Sequence, residues 1–420
     1  MSVRRTVLDN GLTVVTKRLP HVRSVSLGIW IKLGSRHERP EQNGISHFIE
    51  HLLFKGTKNR SARQIAKDID SIGGQLDAFT SREFVGFYAK FLDEHLEAAF
   101  DLLSEIVLHP RFSAAEIERE RNVIYEEIKM TEDNPADLIH DFLMASFWKN
   151  HPLGRPISGT KSILQSLSRR AIAGYFQKAY LPTNMLIVAA GHLRHQSIMA
   201  LARDYFDHYQ GSPNSFPSNT IPQAHKCFIV RNKRQLEQSH FYLGTIAPPI
   251  SSSDRYVASV LSNILGGGFS SRLFQNIREK RGLAYAVFSS LNLYLDAGML
   301  VIYAGSSAKT IPEVVDLTLK ECRKLCRRPV TEDELGRSKE NIKGSVVLGM
   351  ESTSSHMTQM AQQEIYFQRN FPLNEILKKV EEVTREDIMR VAREIFDDRY
   401  LSMAAIGNLS GVRLSEPCLQ

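Results

Sequence analysis

"SRRAIAGYFQKAYLPTNMLIVAAGHL", residues 168–193, has a second version in the same chain. At an offset of 216 and without a gap it lines up with "TREDIMRVAREIFDDRYLSMAAIGNL", residues 384–409. The same offset aligns "SVSLGIWIKLG" (24–34) with "HFYLGTIAPPI" (240–250), and an offset of 218 aligns "FSAAEIERER" (112–121) with "VTEDELGRSK" (330–339). Few positions are identical, yet a near-constant offset over half the chain is the signature of a duplicated unit. Between the copies lies "DHYQGSPNSFPSNTIPQAH" (207–225), rich in Ser, Pro, Asn and Gly and without hydrophobic periodicity, which reads as a linker. The expected organisation is a domain over 1–206, the linker over 207–225 and a homologous domain over 226–420, two cores being natural for 420 residues.

Each copy reads in the same order. A strand comes first (13–17; 227–231), then a second (25–33; 240–246), then a helix (44–54; 256–265). Two edge-like strands follow (75–81 and 84–91; 286–292 and 297–305), then long helices, then a last apolar strand ending in "AAGHL" or "AIGNL". Runs of strands alternating with runs of helices predict an α+β fold: in each domain a mostly antiparallel sheet with helices packed on one face.

Composition narrows the class. With 42% hydrophobic and 24% charged residues the chain is globular, and no apolar run approaches the ~18 residues of a membrane span. The first twenty residues carry no apolar signal core and no transit-peptide pattern, so a cytoplasmic, bacterial protein is expected. The +7 net charge is dispersed and lacks a nucleic-acid motif, so no nucleic-acid partner is expected. The four cysteines form no CxxC pair; Cys322 and Cys326, four apart, are half of a metal site at most, and two small semi-buried residues account for them as well.

The chemistry is concentrated in "ISHFIEHLLF" (45–54). His47 and His51 at i and i+4 project from one helix face and can share one metal ion, while Glu50 reaches the same side. The order is H-x-x-E-H, the reverse of the H-E-x-x-H zinc-protease motif. Two core histidines bonded to backbone and a salt-bridged glutamate would satisfy the triplet alone. A second helix, "AEIERERNVIYEEIKM" (115–130), weighs against that. Its apolar stripe is read as Ile117, Val123, Ile124 and Ile128, and Glu120 and Glu127, two turns apart, fall inside it. Carboxylates on a core face need a positive partner, and a divalent ion held by two histidines is one. Two His and one carboxylate leave a position for water, the catalytic pattern for zinc.

His47-x-x-Glu50-His51 followed 76 residues later by Glu127, together with "GISHFIEHLLFKGT", "DAFTSREFVGFYAKFL", "ERERNVIYEEI" and "FSSRLFQNIREKRGLAY", resembles the pitrilysin-type (M16) zinc metallopeptidases over nearly the whole chain. The length is most similar to the two-domain, bacterial processing-peptidase-like (mitochondrial processing peptidase β-like) members. The resemblance implies the LuxS/processing-peptidase-like metallohydrolase fold. It implies one Zn²⁺ per chain, held by His47, His51 and Glu127, with Glu50 as the base and Glu120 as a further carboxylate needed for full activity. In the second copy the matching positions are Asn263, Gly266, Gly267, Ser338 and Ser345, so that half cannot repeat the chemistry. By the same resemblance its Arg278 and Tyr285 contact substrate. "DAFTS" (77–81), with Asp77, Ala78, Phe79 and Thr80, is similar to the edge strand on which the family docks an extended peptide, although an Asn is usual where Asp77 stands. Glu83 is read as a partner for a ligand histidine or as a surface salt bridge. "LGGGFSSR" (265–272) is read as a helix stop and flexible loop rather than a phosphate loop.

The expected function is a zinc-dependent endopeptidase cleaving unfolded peptides or presequence-like segments in a cavity between the two halves. The expected partners are peptide substrates and a second M16-like chain, as homodimer or heterodimer. The rival is a non-catalytic assembly or binding subunit, which in that family usually loses part of the H-x-x-E-H set that this chain keeps.

Overall fold

A computed structural model describes residues 3–209, 216 and 220–419. Of the expected linker, 210–215 and 217–219 lie outside the described residues. The first sheet comprises β1 (Arg4–Val7), β2 (Thr13–Arg18), β3 (Ser24–Ile31), β4 (Gln75–Thr80), β5 (Val85–Leu92) and β6 (Met185–Gly191), in the order β1-β2-β6-β3-β5-β4. The second comprises β7 (Phe228–Asn232), β8 (Ser239–Ala247), β9 (Ala284–Leu293), β10 (Gly298–Ser306) and β11 (Ser402–Gly407), in the order β7-β11-β8-β10-β9. Strand for strand, β2-β6-β3-β5-β4 repeats as β7-β11-β8-β10-β9. In each sheet one pair is parallel, β2 with β6 and β7 with β11, and the rest are antiparallel. The duplication and the α+β class are therefore as the offset indicated.

The compact units do not follow the two linear halves. One consists of Met1–Lys129, Arg155–Asn219 and Gly349–Asn370; the other of Met130–Gly154, Thr220–Leu348 and Phe371–Gln420. Each half of the chain thus lends one helix to the other half's sheet. In both units the expected helices cover one sheet face, and the lent helix covers the opposite face.

The central strand shows why both faces must be covered. β6, MLIVAAG, is buried along its whole length. Met185, Ile187 and Ala189 enter the larger core; Leu186, Val188 and Ala190 join Val15 and Trp30 under Met357, Met360 and Ala361 of the lent helix Thr353–Phe367. In the second unit Ile139 and Leu143 of the helix Pro135–Phe147 pack with Met299, Val301, Ala404 and Ile406. A strand that is apolar at every position, rather than alternating, has no face to offer water.

Two glycines at matched positions admit the lent helices. A Cβ on Gly28 would lie 2.7 Å from Trp30 Nε1 and 3.0 Å from Met357 Sδ; one on Gly244 would lie 2.3 Å from Met299 Cε and 3.0 Å from Leu143 Cδ2. Close approach of helix to sheet explains why the "LG" pair recurs in both copies. Among the described residues no helix is long and apolar enough to cross a membrane.

Candidate metal centre

The helix Ile45–Leu53 sorts its residues by face. Ile45, Phe48, Ile49, Leu52 and Leu53, at i, i+3, i+4, i+7 and i+8, are buried in the first core. His47, Glu50 and His51 occupy the remaining stripe and are half-buried, not sunk in the core. The imidazole rings stand edge to face with centroids 4.7 Å apart.

The start of this helix is fixed by a residue the sequence reading passed over. Gly44 sits at φ 93°, and the carboxylate of Glu38 does the capping. Its Oε2 accepts from the Gly44 amide at 2.8 Å and from Asn43 Nδ2 at 3.2 Å, and its Oε1 accepts from the Ser46 amide at 2.8 Å. Burial pushes the Glu38 carboxyl up to about 7, against the pull of these donors. A glutamine here offers one acceptor where two are needed and turns an N–H toward an N–H. Glu38→Gln is expected to cost about 1–3 kcal/mol and to lower the melting temperature by several degrees, read by calorimetry on the folded, zinc-loaded chain. The cap left no signal in the apolar periodicity because it precedes the helix by seven residues.

The second contributor is the helix Ala114–Asp133. Ile117, Ile124 and Ile128 are buried as read, but Val123 is 43% exposed and does not belong to the stripe. The buried side includes Arg121 instead, which donates to the Leu167 carbonyl at 3.1 Å and to Glu118 and lies over the Phe48 ring at 5.4 Å. That contact joins the two site helices. Glu120 is buried; its Oε2 stands 3.3 Å from His51 Nδ1 and its Oε1 2.9 Å from Lys55 Nζ. Glu127 is the more exposed of the two. Its Oε2 stands 3.5 Å from His51 Nε2 and 3.8 Å from His47 Nε2.

His47, His51 and Glu127 are, among the described residues, the one group of His, Cys, Asp or Glu side chains placed to hold a metal, with donor atoms within 4.8 Å of one another. Ligand atoms about 2.0–2.2 Å from a tetrahedral ion lie roughly 3.3–3.6 Å from each other, close to the spacings seen. Burial, with the neighbouring His51, holds His47 down at about 4, so its ring is neutral, the form that ligates. His47 Nδ1 is sealed from solvent without a hydrogen-bond partner, which leaves Nε2 as the ring's open atom. His51 differs: its Nδ1 faces Glu120, the carboxylate–histidine arrangement that fixes a ligand ring. The residues present fit Zn²⁺ with one position to spare.

Glu50 is held from across the sheet. Its Oε2 accepts from Thr80 Oγ1 at 2.5 Å, and burial raises its pKa against that bond. Thr80 ends β4, the edge strand of the first sheet, which also carries Asp77, Ala78 and Phe79. Asp77 accepts from the Ala78 amide at 2.8 Å and from Tyr88 Oη at 3.0 Å; Phe79 packs on Trp30. Glu83 is not a surface group: it is buried and pairs with Arg36 at 2.5 Å and Tyr366 Oη at 2.7 Å. The buried carboxylate beside a histidine of the candidate metal group is Glu120 instead.

In the second unit, Arg278 lies on a π-helical turn, Phe274–Glu279, with its guanidinium over Phe274 at 4.9 Å and over the 76%-exposed Tyr285 at 5.6 Å. The spacing of seven thus brings the two side chains together. The helix Arg255–Gly266 stops at the glycine run as expected. Asn263 bonds Asn341, and the hydroxyls of Ser338 and Ser345 bond backbone carbonyls, so the positions matching the metal group are otherwise engaged. Cys322 is buried and Cys326 lies against the Ala392 carbonyl, away from any metal group among the described residues.

A duplicated α+β scaffold carrying one inverted H-x-x-E-H group is the combination expected of the inverted-motif zinc peptidases. Comparison with known proteins agrees. Residues 13–161 match the family described as Insulinase (Peptidase family M16), and residues 166–342 match the Peptidase M16 inactive domain. A Bacillus subtilis (strain 168) protein named uncharacterized zinc protease YmxG is 40% identical over 95% of this chain and 97% of its own. The Mycobacterium tuberculosis (strain ATCC 25618 / H37Rv) protein named uncharacterized zinc protease Rv2782c is 38% identical over 95% of this chain and 92% of its own. A crystal structure of a protease from Helicobacter pylori superposes with a TM-score of 0.89 at 24% identity, over 97% of this chain and 99% of that one, a likeness of fold. The chain belongs to peptidase family M16, and its cofactor is Zn²⁺.

Proposed function

We propose that the chain is a zinc endopeptidase that cleaves unfolded or presequence-like peptide segments. One observation carries this reading: two imidazole Nε2 atoms and the Glu127 carboxylate converge while Glu50, on the same helical stripe, is braced by the edge strand. When bound, zinc supplies a Lewis acid that acidifies a water ligand and polarises a carbonyl. Glu50 takes the proton of the attacking water on its carboxylate and returns it to the leaving amide nitrogen. Thr80 engages Oε2 and leaves Oε1 for that proton. Glu120 positions the His51 ring and needs no contact with substrate.

The unpaired side of β4 supports an extended substrate by strand addition, with backbone bonds giving affinity at Asp77, Ala78, Phe79 and Thr80. Such docking requires an extended chain, which a folded protein does not present. Arg278 and Tyr285 are assigned to substrate contact, the guanidinium toward a carbonyl or carboxylate and the phenol as a donor. The zinc-loaded chain, given a library of unstructured peptides, is expected to cleave internal bonds. Activity should be lost with a chelator, recovered with added zinc and absent on the same segments inside folded proteins. A chain holding one equivalent of zinc that cuts no peptide would overturn the proposal.

A further inference from the structure

A second site is built on the far side of the first unit's strand order, where β1 and β2 meet the start of the helix His195–Phe206. A cleft of about 400 Å³ is lined there by Arg4, Thr16, Arg18, Arg194, His195 and Gln196, with no carboxylate in its lining. Strand geometry gathers the cations. Arg4 is directly opposite Thr16 in the β1–β2 ladder, and Arg18, two residues on from Thr16, shares that face. Arg5, on the other face, is paired with Glu364. Arg194 arrives from the turn that follows β6. Among the described residues none of the guanidiniums of Arg4, Arg18 and Arg194 has an ion-pair or hydrogen-bond partner, although pairing is common elsewhere in this chain. The floor is fixed: His195 Nδ1 lies 2.8 Å from Thr16 Oγ1 and its Nε2 lies 3.0 Å from Thr6 Oγ1. Arg194, the residue before the helix, offers no side-chain cap, so the first amides of a twelve-residue helix add to the same field.

We propose that this cleft binds a ligand presenting clustered phosphate groups. Three unpaired guanidiniums around one small cleft repel one another, and a compact anion of several charges removes that repulsion. Planar donor forks match phosphate oxygens. The volume is that of a small-molecule site. A lone carboxylate brings too little charge for three guanidiniums, which sets an acidic peptide below a phosphate ligand. The site is separate from the metal group, and its test does not depend on peptidase activity.

Isothermal titration of the full zinc-loaded chain with inorganic tripolyphosphate at low salt is expected to show saturable one-to-one binding that weakens as salt rises. The double variant Arg18→Glu/Arg194→Glu should bind at least about tenfold more weakly with an unchanged melting temperature, since both side chains are exposed and unbonded. Arg328→Glu, a reversal of one charge on the second unit, should bind within twofold of the parent. Clustered phosphates occur on soluble molecules and on membrane headgroups. Co-sedimentation with phosphatidylglycerol vesicles, abolished in the double variant, assigns a headgroup; tripolyphosphate binding without vesicle binding assigns a soluble ligand. Binding to neither, an equal loss in Arg328→Glu, or equal competition by oligoglutamate would overturn the proposal.

Discussion

Glu50→Gln is expected to leave a folded chain with its full zinc content and to take peptide turnover down by about a thousandfold, within the 10²–10⁴ that a positioned general base contributes. The separation of effects follows from the geometry. The donor atoms of the candidate metal group, His47 Nε2, His51 Nε2 and Glu127 Oε2, are untouched. Glutamine keeps the size of the side chain and an oxygen for Thr80, so the strand-to-helix brace survives. What it loses is the capacity to take a proton and hand it on. Metal analysis and kcat measured on one preparation check both halves. Turnover within tenfold of the parent would mean that another group moves the proton. Zinc loss would mean that Glu50 is a structural part of the metal group.

The fold was legible where periodicity and self-similarity speak. The 216-residue offset placed β2, β3, β6 and their counterparts within a residue or two, and both sets of central strands stand as read. Domain limits were not legible, because a helix lent from 353–367 to the first sheet carries no mark of its destination in local sequence. The hint lay in "MLIVAAG": a strand without alternation needs cover on both faces, and helices on one face alone leave the other bare. At the site, spacing along one helix brought out His47, Glu50 and His51, since i, i+4 fixes their direction. Glu120 and Glu127 came from the second helix, although the wheel that selected them misassigned Val123 and hid Arg121. A buried arginine on a core stripe reads as a surface residue until its partners, the Phe48 ring and the Leu167 carbonyl, are seen. Glu38 and Thr80 act across 5–30 residues of chain, and no periodic pattern reports a contact of that kind.

The two glutamates of the second helix give the sharpest test of the metal group, because their expected losses differ. Glu127→Ala removes a donor that faces both Nε2 atoms. The remaining pair of imidazoles is an incomplete site, and zinc affinity should fall by well over the ~10–100-fold that follows loss of an outer partner, with turnover lost in parallel at working zinc concentrations. Glu120→Gln removes a charge that touches His51 Nδ1 and Lys55 but no ligand atom of the group. Its zinc affinity should fall only within that outer-partner range, and excess zinc should load it fully while turnover stays depressed, because the His51 ring faces a neutral amide in place of the charge that raises its basicity. Competition with a chromogenic chelator measures both affinities. Equal, small losses in the two variants would show that Glu127 is not the third ligand, and parent-like zinc binding in Glu127→Ala would remove the metal centre from these three residues altogether.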